Sequence, residues 1–166
     1  MGFKKKSVII FIVSIIIIVI TVLGWWCYMQ PIRALDGFSK RIEDGKLEDV
    51  RLTIYSLDPI LTNPVSIDSL INGWHDHKTV IILDGHTLQN YIYLLSQVNS
   101  NLLVPVRGNG QVDARTHYIF ETNNGKRLFD VTMWSWDTEG NSIIMINGRT
   151  FEWNDVFLTS LNLFCL

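Results

Sequence analysis

The sequence predicts an α+β protein in which an N-terminal transmembrane helix precedes one domain. Three observations support this fold class. An uncharged apolar stretch covers residues 8–29. Two Asn-Gly pairs lie between alternating runs, which predicts two C-terminal hairpins in a largely antiparallel sheet. Helical periodicity after Asp84 predicts one main helix, with short helices elsewhere, to pack that sheet. The expected organisation is a basic tail (1–7), a transmembrane anchor (8–29), a helical linker (30–46) and an α+β domain (47–166).

The anchor prediction rests on length, composition and flanks. Val8–Met29 has 22 residues and no charge, and as a helix it would span roughly 33 Å, enough to cross a bilayer. Three lysines precede it and three aromatic residues mark its far end. That arrangement is typical of a cationic cytoplasmic flank and an interfacial aromatic belt. These residues are Lys4, Lys5 and Lys6 on one side and Trp25, Trp26 and Tyr28 on the other.

A cleaved signal peptide is the alternative interpretation of the same stretch, because it also has a basic start and an apolar middle. Val22-Leu23-Gly24 resembles a weak cleavage site. Two Trp follow that site, however, and the apolar run exceeds the ~7–15 residues typical of a signal's middle region. The pattern therefore favours an uncleaved signal-anchor.

Orientation is predicted from the basic residues on either side of the anchor. Three Lys precede the span and three basic residues, Arg33, Lys40 and Arg41, follow it, so a simple tally is equal. The leading lysines are consecutive, and the other flank opens a long domain, which crosses membranes largely regardless of its charge. We expect a single-pass protein of the cell membrane, with its amino terminus in the cytoplasm and its domain outside.

Composition narrows the possible partners. Without the three leading lysines the chain carries eleven Lys and Arg against sixteen Asp and Glu, a formal charge of −5, which offers no footprint for nucleic acid. Cys27 and Cys165 form neither a CxxC pair nor a metal-ligand spacing. We therefore expect a domain stabilised by packing, with no cofactor. Only two Ala in the chain is typical of an AT-rich, bacterial genome.

Local signals predict the elements as far as residue 106. Pro31 is suited to the first turn of the linker helix, which would continue to Gly45. Ser66 is a candidate N-cap for a short helix that Gly73 stops. Asp84 would cap the main helix, whose apolar positions are Leu88, Tyr91, Ile92, Leu95 and Val98. Three strands are expected: an alternating one over 50–55, a buried one over 79–83 and a short one over 102–106, broken at Pro105.

Two hairpins follow, with defined registers. A type I′ turn at Asn124-Gly125 would pair Phe120 with Phe129, Tyr118 with Val131 and Thr116 with Met133, which makes one face of the hairpin almost wholly apolar. A turn at Asn147-Gly148 would pair Ile144 with Phe151, Met145 with Thr150 and Ile146 with Arg149. Asn154-Asp155 would then begin a final capped helix over 156–164.

The other face of the first hairpin is the candidate site. Arg115, His117, Asp130 and Trp134 project from it in the predicted register. His117 would face Thr132 and lie diagonal to Asp130, and Arg115 would face Trp134, where a guanidinium can stack on the indole. A His beside an Asp is what a general base needs, but no Ser or Cys nucleophile lies on that face. The simpler interpretation is a solvated sheet face held by cross-strand polar pairs.

Metal binding is the other possibility for the chain's chemistry. His75 and His77 could chelate an ion with a third ligand from elsewhere. His86 would lie at the opposite end of a strand roughly 17 Å long, so it would not join them. A polar turn is the simpler interpretation of the histidine pair, and a structural helix cap is the simpler interpretation of Asp84-Gly85-His86. Gly108 and Gly110 lack the spacing of a phosphate loop.

These observations favour a binding module over an enzyme. The expected role is an extracytoplasmic domain that recognises a protein or a cell-envelope component through Arg115, His117, Asp130 and Trp134. The alternative is a hydrolase that uses His117 and Asp130, or a metal-binding enzyme that uses His75 and His77. The sequence does not indicate which partner is bound.

Overall fold

A computed structural model describes residues 2–57, 63–73, 77–106, 113–134 and 143–152. The predicted helix over 156–164 lies outside these residues. The chain divides into two compact units, Met1–Gln30 and Pro31–Leu166. Helix α1 (Gly2–Glu43) runs through the first unit and into the second.

In the first unit α1 is long and apolar enough to cross a membrane, and its apolar window is not buried against protein. The large apolar side chains from Val8 to Trp26 are exposed. Two of its hydroxyls are bonded within the helix: Ser14 Oγ donates to the Ile10 carbonyl at 2.9 Å and Thr21 Oγ1 to the Ile17 carbonyl at 2.8 Å. Such internal bonds satisfy these polar groups where no water is available.

The segment predicted as a linker belongs to the core of the second unit, so the linker prediction is wrong. Pro31 does not start a new helix, because α1 continues through it, with Leu35, Phe38 and Ile42 buried. The helix ends in a Schellman motif: Lys46 N–H donates to the Arg41 carbonyl and Gly45, at φ 67°, donates to the Ile42 carbonyl. The carboxyl-terminal part of α1 is therefore the main helix that packs the sheet.

All six described strands form one antiparallel sheet in the order β2-β1-β3-β4-β5-β6. With the long apolar helix and a few short helices, this sheet gives an α+β architecture, as predicted. The strands are β1 (Val50–Leu57), β2 (Lys78–Leu83), β3 (Ala114–Thr122), β4 (Arg127–Trp134), β5 (Ile143–Ile146) and β6 (Arg149–Glu152).

The main core lies on one face of the sheet, called here the first face. Phe120 and Phe129 stack with ring centroids 4.4 Å apart, and Phe38 of α1 lies 5.0 Å from each of them. Offset and tilted aromatic contacts of this kind stabilise a core beyond the area that they bury. Leu88 and Leu95 of the short helices, and Val98 just after them, complete this core with buried side chains.

The apolar pairings predicted for both hairpins are confirmed, but the two turns differ. At Asn147-Gly148 both residues have positive φ (48° and 77°), as type I′ requires. At the first hairpin only Gly125 has positive φ, so the type I′ prediction is wrong there. Glu121 pairs with Arg127, and a bulge at Leu128 restores the predicted pairing of Phe120 with Phe129.

The helices between residues 66 and 102 are shorter than predicted. Ser66 caps α2 (Ile67–Asn72) by accepting from Ser69 N–H, and Gly73 ends it, as expected. Asp84 caps α3 (Gly85–Gln89), but the predicted main helix stops there and resumes as α4 (Ile92–Leu95). Between α3 and α4 the backbone N–H groups of Asn90 and Tyr91 donate to the carbonyls three residues earlier, as in a 3₁₀ turn.

Two strand predictions also need correction. The strand predicted as buried, β2, lies at an edge of the sheet and exposes part of its length. The strand predicted over 102–106 is a short 3₁₀ turn (Ser100–Leu102) followed by an isolated bridge from Pro105 to Phe151. Pro105 has no N–H to donate, so a longer ladder is not supported there.

Gly85 has a role that its sequence context does not reveal. A Cβ on this residue would lie 2.0 Å from the carbonyl oxygen of Leu47 and 2.7 Å from the backbone of Glu48. Only glycine permits the chain before β1 to approach α3 so closely.

Candidate functional site

The candidate site lies on the opposite side of the sheet from Phe120, called here the second face. The register places Tyr55 of β1 opposite His117 of β3, and His117 opposite Thr132 of β4. Helix α2 packs beside this row and contributes Leu70 to a small buried cluster with Leu57, Val65 and Ala114. The second face was expected to be solvated, but His117, Ile119 and Thr132 are buried. That expectation is wrong at the centre of the sheet.

His117 has the most perturbed chemistry at the site. It is 1% exposed, and its Nδ1 lies 2.8 Å from Thr132 Oγ1, which confirms the predicted pairing. Burial lowers the pKa of His117 from 6.5 to about 4, against the opposing effect of the Asp130 carboxylate and with a further lowering by Arg127. The imidazole is therefore neutral at pH 7.

Asp130 lies diagonal to His117, as predicted, because it pairs with Ile119. Its carboxylate accepts from Arg127 Nη1 at 3.2 Å. Its backbone is held by the second hairpin: Asp130 N–H donates to Asn147 Oδ1 at 2.9 Å, and Asn147 N–H donates to the Asp130 carbonyl at 3.1 Å. The backbone of Asp130 is thus fixed by hydrogen bonds, and its carboxylate forms an ion pair with Arg127.

Arg115 does not face Trp134. Trp134 pairs with Ala114, and Arg115 lies in a bulge between that pair and the pair of Thr116 with Met133. The Arg115 guanidinium binds Asp113 through Nε at 3.0 Å and Nη2 at 2.6 Å. The side chain of Trp134 lies outside the part that the structure describes, so the proposed stacking stays a prediction.

Asp113 extends this ion pair to the neighbouring loop. Its Oδ1 accepts from Val65 N–H at 3.0 Å, and Ala114 N–H donates to the Val65 carbonyl at 2.8 Å. Arg115 Nη2 also lies 3.4 Å from the carbonyl of Asn63. Sequence reasoning missed Asp113, because strand alternation does not show a bulge; the spacing of Asp113 and Arg115 was the only signal of this pair.

Two nitrogens at the site are buried without a hydrogen-bond partner in the described structure. They are Nη1 of Arg115 and Nε2 of His117. Both belong to β3, and their side chains are two residues apart. A buried polar group without a partner is costly by about 1–3 kcal/mol. Both atoms are buried, so a partner outside the folded domain does not contact them directly.

The described residues do not bring together the ligands of the predicted metal site. His75 lies outside them, and His77 is exposed next to the start of β2. His86 is at the far end of β2, as expected, where it follows the Asp84 cap. In the described ranges no group of three or more His, Cys, Asp or Glu side chains could hold a metal ion. Gly108 and Gly110 also lie outside these ranges.

Comparison with known proteins gives no further information on the site. No family model matches the sequence, and no curated protein or solved structure matches it. The interpretation of the site therefore rests on its residues and geometry.

Proposed function

We propose that the chain is a single-pass membrane protein whose domain lies outside the cell membrane and binds a protein or a cell-envelope component. The amino terminus would remain in the cytoplasm. The apolar, exposed part of α1 supports an anchor. The three consecutive lysines before it support the orientation.

The chemistry of His117 favours binding over catalysis. A general base works best when its pKa lies near the operating pH and its nitrogen can reach the substrate proton. The pKa of His117 is lowered to about 4 and its Nε2 is buried. At neutral pH this imidazole is a weak base that is held inside the sheet layer, so it suits hydrogen bonding better than proton abstraction.

The observation that carries the proposal is the Arg115 guanidinium, whose side chain stays 13% exposed beside the second face. Guanidinium is a permanent donor, because it stays protonated in proteins. A carboxylate or carbonyl oxygen of a partner can accept from its exposed part, whereas His117 is buried and bonded to Thr132. A partner that presents acceptor oxygens is therefore the chemistry that the site fits.

Recovery of partners from native membranes tests this function. The full chain, solubilised in mild detergent, is used as bait beside the variants Arg115→Lys and His117→Gln. Arg51→Lys is the matched control, because Arg51 also forms an ion pair on the sheet, with Glu121 at 2.6 Å, towards the other end of β3 from Arg115. We expect the site variants to lose a partner that wild type and R51K retain, with unfolding temperatures close to each other. Equal recovery of partners by all four proteins would contradict a role of Arg115 and His117 in binding.

The enzyme alternative has its own test. Metal content is measured on the full purified chain, and thermal shift is measured with zinc, manganese and calcium. A metal that is lost in a His75→Ala, His77→Ala variant would support the metal-binding alternative instead of the binding module.

A further inference from the structure

The two edges of the sheet are protected to different extents. At the β6 edge, Val106 N–H donates to the Thr150 carbonyl at 3.2 Å, and Glu152 N–H donates to the Val104 carbonyl at 2.8 Å. Residues 104–106 therefore cover that edge. At the other edge, β2 pairs with β1 and with no second strand among the residues described. Among the described residues, the outer edge of the β2 backbone thus has no strand partner.

The composition of β2 does not discourage pairing. Natural edge strands usually carry Lys, Pro or a bulge in the positions that would otherwise recruit another strand. Between Lys78 and Asp84 the sequence of β2 is Thr-Val-Ile-Ile-Leu. Val80 is 46% exposed and Ile82 is 63% exposed. These two side chains lie on the second face, where they extend the row of Tyr55 and Thr53 outward.

We propose that β2 is a self-association strand through which two copies of this chain pair edge to edge, antiparallel, about a two-fold axis at Ile81. In this arrangement Val80 of each copy lies opposite Ile82 of the other, and the exposed apolar side chains cover each other. Lys78 of each copy lies opposite Asp84 of the other. Opposite charges and aliphatic pairs in directly opposed positions stabilise antiparallel strands.

The two charged groups at the ends of β2 are both engaged within the domain. Lys78 Nζ donates to the carbonyls of Ile71 at 2.7 Å and Gly73 at 3.1 Å and lies 5.5 Å from the centroid of the Tyr55 ring. Asp84 is exposed and accepts from Thr87. Opposite charges at the two ends of β2 favour an antiparallel second copy as the occupant of the edge, because each end then meets the opposite charge.

Neighbouring registers are less complementary. In an antiparallel pair related by a two-fold axis, the two residues that lie opposite each other point to the same face of the sheet. The axis must therefore pass through a residue, and the neighbouring registers have it one residue earlier or later. With the axis at Val80, Lys78 would oppose Ile82. With the axis at Ile82, Val80 would oppose Asp84. Each of these places a charge against an exposed aliphatic side chain, so the axis at Ile81 is the favoured one.

Disulfide cross-linking tests the pairing and its register in the full chain in membranes. Cys27 and Cys165 are first replaced by Ser. Val80→Cys and Ile82→Cys are then expressed separately and together on two distinguishable copies. We expect oxidation to cross-link a V80C copy to an I82C copy, because their Cβ atoms lie opposite each other within disulfide range. In two copies of the same variant the cysteines lie diagonal to each other, roughly 7–8 Å apart, which is too far. Cross-linking of V80C alone, or of no combination, would overturn the proposal.

Charge substitutions test the same contact without cysteines. Val80→Lys and Ile82→Lys should reduce the dimer fraction of the solubilised chain by about tenfold in association constant, because each change affects two symmetry-related pairs. Val104→Lys is the matched control, since Val104 is 51% exposed on the covered edge. An unchanged dimer fraction in I82K, or an equal loss in V104K, would contradict self-association through β2. The Arg115 and His117 site is not used here, so the two proposals stand or fall separately.

Discussion

The two faces of the sheet are both buried at their centres, yet they are built from different chemistry. On the first face Phe120 and Phe129 stack beneath Phe38 of α1. On the second face, three residues along each strand, His117 and Thr132 are equally buried and share a hydrogen bond. Apolar packing stabilises the first face, whereas polar groups on the second face must find partners to be tolerated. The comparison predicts different responses to substitution and to pH.

The largest effect is expected on the first face. Phe120→Ala removes a ring that contacts both Phe38 and Phe129, and it leaves a cavity between α1 and the sheet. We expect the free energy of unfolding to fall by about 3–5 kcal/mol in denaturant titration. Tyr93→Ala, at a position that is 76% exposed, is the control. A loss for F120A no larger than for Y93A would mean that the first face is not the main core.

A pH dependence is expected from the second face. The pKa of His117 is about 4 in the folded chain, below its ordinary 6.5. Between pH 4 and pH 6.5 the unfolded chain therefore binds a proton at His117 that the folded chain does not bind. The free energy of unfolding falls as the pH is lowered from 6.5 towards 4, and above pH 6.5 this contribution is fully retained. The expected contribution is about 3 kcal/mol.

His117→Gln should flatten this part of the stability profile. His86→Gln, which replaces an exposed histidine, is the matched control. Both are measured by denaturant titration at several pH values. The same slope for H117Q and wild type would contradict the buried, neutral state of His117.

A smaller effect is expected from the partner of His117. Thr132→Val keeps the shape of the side chain but removes the hydroxyl that bonds Nδ1, so neither ring nitrogen then has a partner in the described structure. We expect a loss of about 1–3 kcal/mol in the free energy of unfolding. Thr132→Ser retains the hydroxyl and should be closer to wild type. If T132V were as stable as T132S, the hydrogen bond would contribute nothing.

The smallest effect concerns a helix that helps to cover the first face. Asp84 Oδ1 accepts from Thr87 N–H at 2.8 Å, and this bond lowers the pKa of the Asp84 carboxyl. Asp84→Ala should lower the unfolding temperature, and Asp84→Ser, which can still cap, should lower it less. Thermal unfolding measures both. Equal unfolding temperatures for D84A and D84S would show that the cap does not stabilise α3.

Local rules predicted what depends on local geometry. Asn147-Gly148 gave the correct turn and register, because positive φ at both positions leaves few alternatives. Leu88, Leu95 and Val98 are buried as their spacing predicted, even though the helix that should carry them is interrupted after Gln89. Apolar spacing therefore identified the buried side chains better than it identified the extent of the helix.

The sequence did not predict which elements pack against a given helix side or sheet face. Leu35, Phe38 and Ile42 have the spacing of an amphipathic helix, but that spacing does not show whether the apolar side meets the sheet or a partner. The strand alternation placed His117 opposite Thr132 correctly and gave no sign that this row is buried. The bulge at Arg115 inserts a residue without any turn signal, so the pairing with Trp134 was predicted wrongly.

Labelling of intact cells tests the proposal that the N-terminal helix is a membrane anchor and that the domain lies outside the cell. Cys27 and Cys165 are replaced by Ser, and a single cysteine is placed at Lys5 or at the exposed Lys126. After treatment with a membrane-impermeant maleimide, we expect K126C to be labelled, K5C to be protected, and both to stay in the membrane pellet at alkaline pH. Release of the chain into the supernatant, or labelling of K5C instead of K126C, would contradict the account.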